Sequence, residues 1–367
     1  MMACVAPDGD VCTVIDDGLL NTASARDLRK IMFQKTKIKA IIRLPEVTFK
    51  PNKINVRSSI LLLQRYSHDD IDLENDYDVT FVDVLSLGYH GSGEAIRGFE
   101  FDTFLTNVAH DAFNHDAGSP RGGENWRAFE VRSDKFKEGG VFRLDLKFWE
   151  PDTCKKVEKL RMDGAVPIKA LNKIETRRGK SPKAELYVDE KDGYALVVKA
   201  GSNITKFGEL LAEGDFIEKA VFDEMKAFHL KDGDVLVAST GTGTIGKACV
   251  YHSKWPAVAD GHVTVVRVDS KQVNPYYLAD YLRAGGGAIQ IERLYTGSTG
   301  LIELQPEEMD QILVDLLSGT DEQIAVSEAL REAELAYRKV LEGAESRLGS
   351  ARTTFARPAQ LAYKMTA

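Results

Sequence analysis

Apolar residues in the first hundred positions come in short runs separated by polar turns. Val11 to Ile15 predicts a strand, closed by the turn-like Asp16-Asp17-Gly18. Asn21 or Thr22 is placed to cap a helix whose Leu28, Ile31 and Met32 share one face. Ile38 to Leu44 is almost continuously apolar, the pattern of a strand covered on both faces, and Pro45 ends it. Arg57–Gln64 and Val79–Leu85 predict further strands. Phe101, Phe104, Leu105, Val108 and Ala112 recur at core-facing helical spacing.

Between about His115 and Glu124 the chain turns to Asp, Gly, Ser, Pro and Arg, which reads as a linker. Beyond it, Tyr194–Lys199, Asp234–Ala238, Lys247–His252 and Val263–Val268 predict short strands. Asn274-Pro275 opens a helix that Gly285 to Gly287 should stop. From Thr320 to Gly349, Val326, Leu330, Ala333, Tyr337, Val340 and Ala344 alternate steps of four and three. That spacing suits a seam for one partner helix, or packing on the helix's own domain.

With 367 residues and 43% apolar content, two globular units with ordinary cores are expected. No run of 18 apolar residues predicts a membrane span, and no basic-then-apolar segment opens the chain, so a cytoplasmic protein is expected. Cys4, Cys12, Cys154 and Cys249 are scattered, with neither zinc-knuckle nor disulfide spacing. A net charge of −8 argues mildly against nucleic acid, but the charge is segregated. Lys169, Lys173, Arg177, Arg178, Lys180 and Lys183 face the single acid Glu175 over one short stretch, and DNA binding needs only such a local basic face.

Gly9-Asp10-Val11, Asp17-Gly18-Leu19-Leu20, Ala40-Ile41-Ile42-Arg43-Leu44-Pro45, Phe49-Lys50-Pro51 and Val56 to Leu62 occur in an informative order. With Leu87-Gly88-Tyr89, Gly91 and Phe99 to Phe104, they resemble the C-terminal part of the adenine-N6 methyltransferase subunits of type I restriction–modification systems and their fused relatives. A second set is Phe142-Arg143-Leu144-Asp145 through Trp149, Gly233-Asp234-Val235-Leu236-Val237 with Thr240-Gly241-Thr242-Gly243, Asn274-Pro275-Tyr276-Tyr277-Leu278, and Tyr295-Thr296-Gly297-Ser298-Thr299. These resemble the target-recognition domain of type I specificity subunits.

The resemblances imply an α/β partial methyltransferase sheet over 1–114, a linker over 115–139 and an α+β target-recognition domain over 140–319. A spacer helix over 320–350, coiled-coil-like, and a tail over 351–367 would follow. They also imply double-stranded DNA as partner and a restriction–modification setting. Methylation in this family needs a glycine-rich loop for S-adenosylmethionine and an (Asn/Asp/Ser)-Pro-Pro-(Tyr/Phe) tetrapeptide for the extruded adenine. No Pro-Pro dipeptide occurs in the sequence, and the stretch resembled starts at about the family's sixth segment. No catalytic or cofactor-binding residue is therefore expected on this chain. A catalytic subunit, or an N-terminal catalytic domain, would supply the cofactor site of the complete enzyme, and a helix-mediated dimer is a further partner.

Three stretches are candidates for DNA contact: the basic loop with Lys173, Arg177, Arg178, Lys180 and Lys183; the turn with Thr240, Thr242, Thr244 and Lys247; and the loop with Tyr295, Thr296, Ser298 and Thr299. Each also reads as an ordinary solvated loop or hairpin. Gly241 to Gly246 matches GxGxxG, but the strand-like Lys247 to His252 follows where a dinucleotide site requires a helix. Asp145-Leu146-Lys147, with Asp116 and Glu130 elsewhere, offers the rival of a PD-(D/E)xK-type metal-dependent nuclease, and an interaction scaffold built on the terminal helix is another. His110 and His115 lack a third ligand, so no metal is expected. His262, in Asp260-Gly261-His262, is a polar residue before a strand whose role the sequence leaves open.

Overall fold

A computed structural model describes residues 5–67, 76–113, 121–140, 142–298 and 300–364. In the N-terminal half, β1 (Asp10–Asp16) is followed by α1 (Gly18–Asn21), α2 (Arg26–Lys35), β2 (Thr36–Arg43), β3 (Ser58–Arg65) and β4 (Asp78–Val84). Then come α3 (Phe101–Phe113), β5 (Arg121–Gly123) and β6 (Trp126–Arg132). The six strands form one mixed sheet in the order β1-β3-β2-β4-β6-β5. β2 runs parallel to β4, while β3 is antiparallel to both β1 and β2. Ile38, Ala40 and Ile41 are fully buried, as a two-sided strand demands.

Three expectations change here. The stretch read as a linker supplies β5 and β6, because β6 pairs along all of β4, from Asp78↔Arg132 to Val84↔Trp126. Residues 114–120, with His115 and Asp116, lie outside the described residues. Helix α2 buries Arg29, Met32 and Phe33 and leaves Leu28 and Ile31 exposed. The buried Arg29 guanidinium explains this: it donates to the carbonyls of Phe142 (2.7 Å), Leu19 (2.9 Å) and Thr22 (2.8 Å), and burial lowers its pKa to about 10. On α3, Val108 and Ala112 meet the sheet, whereas Phe101 and Leu105 are exposed.

The first unit also reaches past residue 140. Phe136, Phe142, Leu144 and Leu146 join its core with Phe33, Phe81 and Phe129. The segment from Phe142 to Asp145 is irregular chain, not a strand, with Phe142 at φ +53°, and α4 (Leu146–Trp149) follows.

The second unit continues with α5 (Pro151–Met162), β7 (Val166–Pro167), α6 (Ile168–Leu171), β8 (Arg177–Arg178), β9 (Tyr187–Val188), β10 (Ala195–Val198), β11 (Phe216–Ile217) and α7 (Lys219–Glu224). After these come β12 (Val235–Ala238), β13 (Ala248–Val250), β14 (Ala257–Ala259) and β15 (Val263–Val266). Two four-stranded sheets result, ordered β14-β10-β11-β9 and β13-β12-β15-β8. Leu196, Val198, Leu236, Cys249 and Val265 are packed between them. Helices α8 (Pro275–Ala284) and α9 (Gly286–Leu294) cover the second sheet. Asn274 caps α8 by accepting from the N–H groups of Tyr276 (2.9 Å) and Tyr277 (3.3 Å), as the Asn-Pro pair predicts. Gly285 ends α8, but α9 starts one residue later.

Then α10 (Pro306–Met309), β16 (Leu313–Val314), which pairs with β7, and α11 (Thr320–Lys364) follow among the described residues. Helix α11 docks by polar groups. Ser327 and Arg331 bond to Asp280, and Glu334 takes both Arg283 nitrogens, at 2.6 and 2.7 Å. The apolar seam faces outward: Val326, Tyr337 and Val340 are 49%, 54% and 71% exposed. No helix among the described residues is long and apolar enough to cross a membrane.

Candidate nucleic-acid interface

Three loops meet at one end of the second unit. The basic loop after β8 is held against the turn after β14 by backbone bonds: the Lys180 N–H donates to Ala259 O (2.9 Å) and the Gly179 N–H to Val263 O (2.8 Å). The approach at Gly179 is so close that a Cβ there would lie 2.3 Å from the carbonyl oxygens of Ala259 and Asp260, so only glycine fits. The Gly261 N–H donates to Ser181 Oγ (3.0 Å), tying the two loops again. The third loop, after β12, turns through Gly241 and Gly243 at φ +86° and +81°. Its Thr240 hydroxyl meets His262 Nδ1 at 2.7 Å, and Thr244 donates to Thr240 O (2.6 Å) and Gly241 O (2.9 Å).

Lys180, Lys183, Thr242 and His262 are exposed on this assembly. Lys180 Nζ lies 5.8 Å from the centre of the Phe228 ring. Asp260 beneath them is buried, which pushes its carboxyl up from the ordinary value, while the His262 N–H it accepts (2.9 Å) opposes that rise. A patch of cations, hydroxyls and turn backbone around a fixed imidazole can take phosphate and base edges.

The two arginines of the basic loop are spent on partners within the fold, while Lys173 stays exposed beside an acid and Lys247 is half-buried. Arg177 donates to the carbonyls of Ala227 and His229. Arg178 donates to Leu304 O (2.7 Å) and pairs with Glu303 (2.9 Å). Lys173 sits 3.4 Å from Asp269, and Lys247 is half-buried in a depression shared with Gly246, Arg283 and Glu292. These four were expected at DNA; the structure gives the two arginines structural partners first.

The loop with Tyr295, Thr296 and Ser298 adjoins the Thr240 turn through Glu303, which bridges to both Thr296 and Thr240, but turns into the joint between the two units; Thr299 falls outside the described residues. Asn21 and Gly297 exchange two hydrogen bonds, Gly297 N–H to Asn21 Oδ1 (2.9 Å) and Asn21 Nδ2 to Gly297 O (3.3 Å). Ser298 Oγ donates to Asp16, 3.0 Å from Oδ2. Tyr295 and Thr296 are buried. Behind them Arg143, 3% exposed, holds Asp145 through both nitrogens at 2.7 Å and donates to Leu294 O (2.6 Å) and Tyr295 O (3.3 Å). Lys147 Nζ donates to Tyr295 O (2.6 Å). Burial lowers the Lys147 pKa to about 7 and raises that of Glu308, 3.6 Å from Arg143, to about 7.

This geometry removes the nuclease reading. Both Asp145 oxygens are occupied and the group is buried, so it does not face a substrate. Among the described residues no cluster of three His, Cys, Asp or Glu is placed to hold a metal ion. The Gly241–Gly246 turn also does not fit S-adenosylmethionine, since strand β13 follows it with no helix N-terminus for a cofactor to face.

Residues 1–121 match the family model described as N-6 DNA Methylase, the family anticipated from Gly9 through Phe104. No curated protein matches the chain. Among solved structures, the type IIG restriction endonuclease BpuSI is 9% identical, with a TM-score of 0.41, over 90% of this chain and 42% of that one. The HsdS subunit from Thermoanaerobacter tengcongensis is 13% identical, with a TM-score of 0.27, over 90% of this chain and 92% of that one. The type I restriction–modification S subunit from M. genitalium is 14% identical, with a TM-score of 0.31, over 45% of this chain and 37% of that one. The chain thus spans less than half the length of the endonuclease.

Proposed function

We propose that this chain recognises duplex DNA within a restriction–modification system through the three-loop face of its second unit. It would direct adenine-N6 methylation carried out with a catalytic part that supplies the cofactor loop and the Pro-Pro tetrapeptide. The observation that carries the reading is the convergence of Lys180, Lys183, Thr242 and His262 on loops stitched together by backbone bonds at the end of two packed sheets. Fixed loops on a rigid core position side chains for groove contact, and exposed lysines supply the salt-dependent share of affinity.

The match of residues 1–121 to the N-6 DNA methylases supports the methylation setting. S-adenosylmethionine would belong to the catalytic part of the assembled enzyme. The free edge of β1, the outermost strand of the first sheet, with Val14 53% exposed, is where that part would attach by extending the sheet. Fluorescence anisotropy with a labelled duplex, without metal, tests the recognition step. Binding that weakens steeply with salt is expected; no binding at low ionic strength refutes it. Adenine methylation by this chain unaided would refute the division of labour.

A further inference from the structure

We infer that His262 is a specificity-determining residue that donates to the major-groove edge of a purine, with Thr240 as its positioning residue. This rests on the reading of the three-loop face as the DNA-binding surface.

The observation that singles out His262 is how completely its surroundings fix an exposed side chain. Its backbone N–H donates to Asp260 Oδ1 (2.9 Å), and its carbonyl accepts from the Ser239 N–H (2.9 Å). Val263 N–H closes the turn onto Asp260 O (3.2 Å), and Gly261 is tied to Ser181. The ring is then oriented by a single contact, Thr240 Oγ1 at 2.7 Å from Nδ1. An exposed surface histidine usually has a free ring; this one is anchored from two different loops.

The hydrogen bond at one ring nitrogen decides what the other can do. We assign the Thr240 hydroxyl as the donor to Nδ1, which leaves the ring's N–H on Nε2. That leaves one oriented N–H donor on the open side. The major-groove edge of a purine offers acceptors to such a donor, N7 of adenine or guanine and O6 of guanine; cytosine presents a donor there, and thymine offers O4 only beside its bulky methyl group. The lysines on the same face, Lys180 and Lys183, suit phosphate and carry no sequence information. The fixed donor therefore reads sequence where the flexible cations do not.

The test is in-vitro selection from a duplex library with a randomised window, using the full chain, with His262→Ala, His262→Gln, Thr240→Val and Thr240→Ser beside the wild type. The wild type should select a site in which, at one position, the same strand always carries the purine. His262→Ala should lower the preference there by about tenfold, the size of one base contact. Thr240→Val should weaken the same position and no other, Thr240→Ser should restore it, and His262→Gln should retain a donor and part of the preference. Circular dichroism checks that each variant is folded. A wild type that selects a site which His262→Ala selects unchanged overturns this assignment alone, as does a lost position that separates A·T from G·C without fixing which strand carries the purine. A wild type that binds no duplex overturns the DNA reading and this assignment with it.

Discussion

Replacing Arg143 by Met tests whether the joint between the units is held by buried charge. The guanidinium is 3% exposed and makes two 2.7 Å bonds to Asp145, itself 5% exposed. Met keeps most of the stem's volume against the Phe148 ring, which the guanidinium carbon now meets at 4.7 Å from its centre. What is lost is the counter-charge of a buried carboxylate, a loss of about 3–5 kcal/mol when one partner of such a pair is removed. The carbonyls of Leu294 and Tyr295 lose a donor as well. Unfolding entropy of about 2 cal/mol/K per residue gives roughly 0.8 kcal/mol/K for a chain of this size, so Tm should fall by about 4–6 °C. The double variant Arg143→Met with Asp145→Leu should recover most of that loss, because the carboxylate that held the guanidinium through two bonds is then no longer stranded. Differential scanning calorimetry of both variants at neutral pH provides the measurement. A single variant within about 1 °C of wild type, or a double variant no better than the single, would show that the pair does not hold the joint.

Lys180→Ala with Lys183→Ala should weaken binding to every duplex and flatten the plot of log K against log salt by about 1.8, two phosphate contacts' worth; anisotropy at four salt concentrations reads the slope, and an unchanged slope removes these lysines from the interface. Lys147, lowered to about 7 from 10.5, is neutral in the folded chain between those values while the unfolded chain keeps its proton. Its contribution therefore makes stability rise with pH from about 7 towards 10.5, and Lys147→Met should flatten that limb in denaturant titrations at several pH values. Isothermal titration should detect no S-adenosylmethionine binding to this chain; micromolar affinity would contradict the account of its N-terminal portion. If the outward seam of α11 pairs with a partner helix, light scattering should show a dimer that Leu330→Asp with Tyr337→Asp dissolves; a monomeric wild type refutes that pairing.

The strands were legible because their signal is local. Runs such as Ile38–Leu44 and Val263–Val268 need only a two-sided core to be read, and Asn274-Pro275 carries its cap and first turn in two adjacent residues. Helix faces were less legible. In α2 the expected stripe of Leu28 and Ile31 gave way to Arg29, whose burial is decided by carbonyls of Leu19, Thr22 and the distant Phe142. No periodicity of apolar residues can announce an arginine in a core. The same holds for α11, where the docked face is the polar one and the seam is left outside. The stretch that reads as a linker is Gly-rich up to Glu124, yet Arg121–Gly123 and Trp126–Arg132 pair as strands.

For the site, composition named loops of the right kind without being able to say which of them faces outward. Tyr295-Thr296-Gly297-Ser298 has the same hydroxyls and glycines as Thr240-Gly241-Thr242-Gly243, and nothing in either run distinguishes phosphate contact from burial. The difference is made by residues far away in sequence. Arg143, about 150 positions earlier, fixes the carbonyls of the first loop, and Asn21 takes its Gly297. The second loop meets His262, 22 positions on, and stays at the surface. The basic loop divides in the same way: Arg177 and Arg178 point to carbonyls and an acid within reach of a planar fork of donors, while the more strongly hydrated ammonium groups of Lys180 and Lys183 remain in water. The basic cluster in the sequence therefore overstates how many cations stand free at the surface, and here Lys180 and Lys183 mark the exposed face better than Arg177 and Arg178 do.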